Sequence, residues 1–264
     1  MNEITNPVRL ERHGPVLEIR IDRPKANAID SATSRLLGNA FIAFRDDSTL
    51  RVAVVTGTGE KFFSAGWDLK SAARGEEDNQ DWGPGGFAGL TEFFDLNKPV
   101  IAAVNGIAVG AGLELALACD LILVAEHAEF FLPEMALGIM ADSGGVQRLP
   151  RRLPFFVAMD LLLTGRRMGA TEAAHFGLVN KVVPSGDLME EAHSLARDIA
   201  EKAPLAVAAL KEIIRSTEHL SVEQAFAITR SGPLPAYRRM LASEDFREGP
   251  RAFAEKRKPS FVGR

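Results

Sequence analysis

Residues 97–120 read NKPVIAAVNGIAVGAGLELALACD, and this stretch sets the fold class. A proline leads into the apolar run Val100 to Val104, glycines follow at Gly106, Gly110 and Gly112, and Leu113 to Ala118 close the segment. The pattern predicts a buried strand, a tight glycine turn and a helix whose first turn carries Glu114. Leu113, Leu115, Ala116 and Leu117 surround that carboxylate, and a buried glutamate needs a partner or a task. The helix start also presents unpaired backbone N–H groups at Ala111 and Gly112, at the positive end of the helix dipole. An oxygen that gains negative charge is stabilised in such a place. One short segment therefore offers an acid and an anion hole.

Working outward, the neighbouring segments repeat the strand and helix alternation. Leu17, Ile19 and Ile21 alternate with Glu18, Arg20 and Asp22, which predicts a half-buried strand, with Arg9 to Arg12 as its hairpin partner across His13 and Gly14. Ser31 to Arg45 carries a helical stripe at Leu36, Leu37, Ala40, Phe41 and Phe44, capped by Asp30 or Ser31. Val52 to Val55 is wholly apolar, as in a strand covered on both faces. Phe62 and Phe63 lead through Ala65 and Gly66 to a short helix from Asp68. The glycine-rich residues 75–89 read as a mobile cover. Leu121 to Ala125 and Phe130 to Leu132 are further strands, the second ending at Pro133 with Glu134 after it. Asp142 or Ser143 is placed as the cap of a helix over Val146 to Arg151. The endings VAVVTG and IAAVNG hint at a coiled stack of repeated units. The class is α/β.

Beyond Phe155 helices dominate. Leu178 to Val183 is the last expected strand, and Asp187 to Lys202 has amphipathic spacing. Pro204 suits a first helical turn, Ser221 to Gln224 forms a capping box, and Arg238 to Arg257 reads as one charged helix. Residues 195–264 are expected to be a helical, oligomer-facing subdomain on a core of residues 1–194.

Composition bounds the function. A chain of 264 residues, 46% hydrophobic and 25% charged, buries a sizeable core. The net charge of −4 gives no basic footprint for nucleic acid. Cys119 is the single cysteine, so neither an internal disulfide nor a cysteine-rich metal site is expected. The N-terminus has no signal pattern and no run long enough to span a bilayer, which leads to the expectation of a cytoplasmic protein.

Several motifs fail on spacing. Gly110-Ala-Gly112 lacks a third glycine, residues 57–61 and 138–145 lack a phosphate-loop ending, and the five histidines form no zinc pattern, so no metal is expected. Ala141-Asp-Ser-Gly-Gly145 resembles a serine-protease nucleophile, but that chemistry needs an upstream His and Asp in an all-β scaffold. What survives is the pair Glu114 and Glu134. Alone, each has an ordinary explanation: a helix-start charge for Glu114 and a loop charge for Glu134.

Taken with FFSAGWDLK, KPVIAAVNG, GAGLELALACD, LPE, RLP, GLVNKVV and AFAEKR, these residues resemble the crotonase superfamily, the enoyl-CoA hydratases and isomerases, over most of the chain. DRPKANAID, GPGGFAGLTEFFDL, DSGG and TGRRM are similar to its carnitinyl-CoA dehydratase branch. The resemblance implies a ββα spiral core with a C-terminal helical oligomerisation subdomain, and a lyase that reversibly hydrates an acyl-CoA, with carnitinyl-CoA and crotonobetainyl-CoA preferred. The alternatives are a short-chain enoyl-CoA hydratase, a Δ3-Δ2 isomerase, or a non-catalytic acyl-CoA-binding protein.

By the same resemblance, Glu114 activates water for addition at Cβ, and Glu134 protonates Cα. The N–H groups of Trp67 and Ala111 hold the thioester oxygen, with alanine at 111 where the family usually has glycine. Lys25, Ala26, Ala28, Ala65, Asp68 and Lys70 match coenzyme A contacts, and Phe253 and Lys256 match tail positions that reach a neighbour's ligand. Coenzyme A enters as part of the substrate, with no separate cofactor, and a homotrimer or hexamer is implied. A trimethylammonium acyl group favours an aromatic wall, for which Trp82, Phe87, Phe93 and Phe94 are candidates. Asp142 either caps its helix or adds a third acid to the cleft.

Overall fold

The computed structural model describes residues 6–75 and 81–264. A hairpin opens the chain, β1 (Val8–His13) against β2 (Val16–Ile21). Helix α1 (Ser31–Asp46) follows, started by Asp30, whose side chain accepts the Thr33 N–H at 2.8 Å. Strands then come in pairs: β3 (Val52–Gly57) with β4 (Phe62–Ser64), β5 (Val100–Val104) with β6 (Ile107–Val109), and β7 (Leu121–Ala125) with β8 (Glu129–Phe131). Helix α2 (Leu69–Ala73) follows the first pair and α3 (Ala111–Ala118) the second. After β8 come α4 (Gly145–Arg152), α5 (Phe155–Thr164), β9 (Met168–Gly169), α6 (Ala170–His175), β10 (Lys181–Val183) and α7 (Leu188–Ala200). Four helices end the chain: α8 (Pro204–Thr217), α9 (Val222–Ser231), α10 (Pro235–Ala242) and α11 (Glu244–Ala254).

The first strand of each pair enters a sheet ordered β1-β2-β3-β5-β7-β10, and the second enters a sheet ordered β4-β6-β8-β9. Neighbours run parallel except β1 with β2 and β8 with β9. Each pair thus advances the chain by one strand in both sheets, the expected ββα spiral. Strand β6 was not foreseen; three residues between glycines are too few to show a period.

Both faces of the larger sheet are covered, which is why its strands are apolar without alternation. Ala53, Val55, Ala102, Val104, Ile122 and Val124 face the main core with Leu37, Phe41 and Leu115. The residues between them, Val52, Val54, Ile101, Ala103, Leu123 and Ala125, meet Leu188, Ala192, Ala196 and Ala200 of α7.

Several expectations are corrected. Strand β2 is not half-buried: α7 covers its polar side, and Glu18 is only 5% exposed, with His193 Nε2 2.8 Å from its Oε2 and Arg20 Nε 2.9 Å from its Oε1. Of the glycine-rich cover, residues 76–80 lie outside the described residues, while Phe87, Ala88 and Gly89 form a buried 3-10 turn on α1. A Cβ at Gly89 would lie 2.2 Å from Gly38 N, so the backbones meet there because no side chain intervenes. The last strand starts at Lys181 rather than Leu178. The charged segment 238–257 is two helices, because Ser243 takes an extended conformation (φ −76°, ψ 161°) and its hydroxyl accepts the Phe246 N–H at 3.0 Å. The division between residues 194 and 195 falls inside α7, whose far end still packs on the sheet through Ala196 and Ala200.

Candidate active site

The parallel order β4-β6-β8 brings three C-terminal strand ends side by side, with neighbouring strands about 4.8 Å apart. Residues leaving those ends build the site. After β4 the chain turns at Gly66 (φ +72°) into Trp67, and after β6 it turns at Gly110 (φ +52°) into α3. The two turns touch. A Cβ on Gly66 would lie 2.8 Å from Ala111 N and 2.9 Å from Gly112 N, and a Cβ on Gly112 would lie 2.3 Å from Ser64 O. The Ser64 hydroxyl fixes the first turn by donating to Asn27 O at 2.8 Å and accepting the Gly66 N–H at 3.0 Å. Among the described residues the N–H groups of Ala111 and Gly112 have no acceptor, as the start of a helix dictates.

Glu114 stands one residue pair further along α3 and is 2% exposed. Its Oε1 accepts the Gly145 N–H at 2.7 Å, from the first residue of α4. Glu134 follows β8 and Pro133, opens a 3-10 turn, and is 8% exposed. A Cβ on Gly110 would lie 2.5 Å from Glu134 Oε1, so this carboxylate rests against the turn that starts α3. Its Oε2 is buried with no hydrogen-bond partner among the described residues. Burial pushes the Glu114 carboxyl up to about 7, against the opposing Gly145 N–H and with the negative charges of Glu134 and Asp142 adding to the rise. Burial also raises Glu134, again with Asp142 contributing.

Both glutamates, Trp67, Ala111 and Ala65 line one cavity of about 770 Å³, together with Trp82, Phe87 and Asp142. Phe93 and Phe94, the other aromatic candidates, line a different cavity. Asp142 is not a helix cap: Gly144 precedes α4 and no side chain caps it. Sequence favoured the cap because Asp and Ser are frequent there, but the two following glycines let the chain turn without one.

The expected coenzyme A residues do not all reach this cavity. Lys25 is exposed on the loop before α1 and Lys70 is exposed in the first turn of α2, and Ala26 O accepts the Ala65 N–H at 2.9 Å, which ties the segments leading to the two helices together. Asp68 is engaged elsewhere: its carboxylate accepts from Arg23 at 2.7 Å and caps α2 through the Lys70 and Ser71 N–H groups. Arg23, which sequence reasoning missed, also pairs with Asp30 at 2.7 Å and so staples α1 to α2. Phe253 is 88% exposed on α11, and Lys256 is exposed just after it.

One group with metal-ligating spacing stands away from the cavity. His13, Glu18 and His193 bring ligand atoms within 4.8 Å of one another, a cluster formed by β1, β2 and α7 that sequence spacing did not show. The Arg20 guanidinium already supplies Glu18 with a cation.

Two carboxylates with raised proton affinity, beside unpaired amides, suit proton transfer next to a carbonyl whose oxygen becomes negative. Comparisons with known proteins point the same way. The sequence matches the enoyl-CoA hydratase/isomerase family over residues 11–264. A carnitinyl-CoA dehydratase of Salmonella arizonae is 60% identical over 260 residues, which is 98% of this chain and 100% of that one. An enoyl-CoA hydratase structure from Mycobacterium tuberculosis H37Rv superposes with a TM-score of 0.90 at 41% identity, covering 98% of this chain and 100% of that one. An enoyl-CoA hydratase structure from Bacillus anthracis does so at 0.88 and 35%, with the same coverage.

Proposed function

This chain belongs to the enoyl-CoA hydratase/isomerase family, and we propose that it interconverts carnitinyl-CoA and crotonobetainyl-CoA by loss or addition of water. It is a hydro-lyase acting on acyl-CoA thioesters. The acyl group is taken from the 60% identical carnitinyl-CoA dehydratase, and the aromatic and acidic lining of the cavity supports that choice.

The observation that carries the mechanism is the pairing of two buried carboxylates, Glu114 and Glu134, on one cavity wall beside the unpaired N–H groups that start α3. In hydration, ionised Glu114 takes a proton from water as the water oxygen bonds to Cβ. The double-bond electrons move to the thioester oxygen, held by the Trp67 and Ala111 N–H groups. As the enolate collapses, the Glu134 carboxyl gives its proton to Cα. Dehydration runs the same steps backwards. Burial suits both roles, because a Glu114 carboxyl near 7 exchanges protons at neutral pH and burial raises the proton affinity of Glu134 in the direction an acid needs.

Lys25, Ala26, Ala28, Ala65 and Lys70 are assigned to coenzyme A, which enters as substrate with no separate cofactor. Phe253 and Lys256 are assigned to a neighbouring subunit's ligand in a homotrimer or hexamer. Their exposure, and that of Phe156 (84%) on α5, fits surfaces covered on assembly. Among the described residues no helix is long and apolar enough to cross a membrane.

Purified protein assayed by loss of enoyl-thioester absorbance tests the reading. Wild type is expected to hydrate crotonobetainyl-CoA, with Glu114→Gln and Glu134→Gln each lowering kcat by about 10²-fold or more. Undiminished turnover in either variant overturns the mechanism, and failure of wild type on crotonobetainyl-CoA alone overturns the acyl group.

A further inference from the structure

Asp142 is a carboxylate without a stated employer. It caps no helix and, among the described residues, its side chain makes no hydrogen bond or ion pair. It stands on the wall of the 770 Å³ cavity that also presents Trp67, Trp82 and Phe87. Those rings form a corner rather than a flat wall: Trp67 and Trp82 meet at 88° with centroids 6.2 Å apart, and Trp82 and Phe87 at 70° and 5.0 Å. Asp142 and Ser143 also border a second cavity of about 610 Å³, whose lining mixes both signs of charge, with Lys211 paired to Asp120 at 2.7 Å and Arg151 to Glu218 at 3.6 Å. Asp142 thus shares one cavity with aromatic rings and the other with a lining of mixed charge.

We infer that Asp142, with the corner made by Trp67, Trp82 and Phe87, is a subsite for a quaternary ammonium on the acyl group and sets a preference for cationic over neutral substrates. This rests on the carnitinyl reading above. A quaternary ammonium has no N–H to donate, so a protein can recognise it only by opposite charge and by ring faces, the two features gathered here. In crotonobetainyl-CoA the nitrogen lies one methylene beyond Cβ, so a double bond held between Glu114 and Glu134 keeps the cation in the same cavity.

The subsite also bears on the glutamates. The Asp142 charge raises the proton affinity of both Glu114 and Glu134. A bound cation offsets it, so the cationic substrate itself helps ionise Glu114, which a neutral acyl group does not do.

The test uses two unreactive saturated thioesters, 4-(trimethylammonio)butanoyl-CoA and its all-carbon counterpart 5,5-dimethylhexanoyl-CoA. Their binding to the intact protein is measured by calorimetry, in wild type, Asp142→Asn and Asp142→Glu. Wild type is expected to bind the cationic thioester at least about tenfold more tightly, the Asn variant to lose about tenfold of that preference, and the Glu variant to keep most of it. Added salt should weaken the preference in wild type and not in the Asn variant, a readout that a change of pocket shape would not produce. Equal loss of affinity for both thioesters in the Asn variant, or an unchanged ratio, overturns the role of Asp142. Wild type that turns over crotonobetainyl-CoA while the Asn variant keeps its preference leaves the proposed function standing and this inference refuted. Wild type with neither turnover of crotonobetainyl-CoA nor a binding preference overturns both.

Discussion

Glu114→Gln should make the protein more stable while abolishing its activity, and only at neutral and alkaline pH. The Glu114 carboxyl rises from its ordinary 4.5 to about 7 on folding, chiefly by burial. For an acid this means that folding favours the protonated form. The group therefore costs no stability below about pH 4.5, where both states are protonated, and the cost grows until pH exceeds about 7, where both are ionised. At 1.36 kcal/mol for each pH unit, the displacement corresponds to about 3 kcal/mol of stability forgone at pH 8. Glutamine has nearly the same shape, carries no charge, and still offers an oxygen to the Gly145 N–H. For a chain of this size about 3 kcal/mol raises Tm by roughly 6–12 °C. Thermal unfolding of wild type and variant, at one fixed protein concentration, should give Tm values that separate at pH 8 and converge near pH 4. A Tm that falls equally at both pH values would show that Glu114 is stabilised by its surroundings, and the strained-acid reading of the site would be wrong.

The pH dependence of hydration follows from the same group. Glu114 must be ionised to take a proton from water, so kcat/KM should fall about tenfold per pH unit below about 7, and a flat profile down to pH 5 would remove Glu114 as the base. Gly110→Ala puts a methyl 2.5 Å from Glu134 Oε1 at a backbone (φ +52°, ψ −127°) that alanine tolerates poorly. The variant should lose about 10²-fold in kcat and about 1–3 kcal/mol of stability, and an active, stable variant would mean that Glu134 need not hold its present position. Ser243→Ala removes the hydroxyl that starts α11 and should lower Tm by about 2–4 °C, from about 1 kcal/mol, without changing kcat; a large kcat effect would tie the C-terminal helices to the site.

Much of the larger sheet was legible because its strands are apolar on both faces and its first helix carries both stripe and cap. Burial of Val52, Val54 and Ile101 under α7 is the physical event that the uninterrupted apolar runs announce. Short or composite elements were not legible. Strand β6 has three residues, and the break at Ser243 depends on one backbone angle inside a charged run that is helical on either side. Glu18 misled for another reason: the alternation of β2 is genuine, but its polar side is covered by α7, which brings His193. Spacing within a strand cannot show what a segment 175 residues away will deliver. Asp142 shows the converse failure, since a helix-start residue type can sit before a helix and serve a cavity instead.

The faint repeat of strand endings turns out to be what assembles the candidate site. Each ββα turn delivers one strand to the smaller sheet, and parallel pairing aligns the C-terminal ends of β4, β6 and β8. Trp67 leaves the first end, Ala111 and Glu114 the second, and Glu134 the third. With strands about 4.8 Å apart, the proposed anion hole on the first two ends and the pair of carboxylates on the second and third fall within about 10 Å. Ligands bind outside the carboxyl ends of parallel strands for this general reason, because the loops that carry side chains and free N–H groups converge there. A spiral of equal steps therefore sets the proposed oxyanion donors and the proposed proton-transfer groups on neighbouring strand ends. Three sequence segments that share no motif thereby acquire fixed mutual distances, and a substitution that shifts the β6 to β8 register should uncouple the glutamates without unfolding either one's own element.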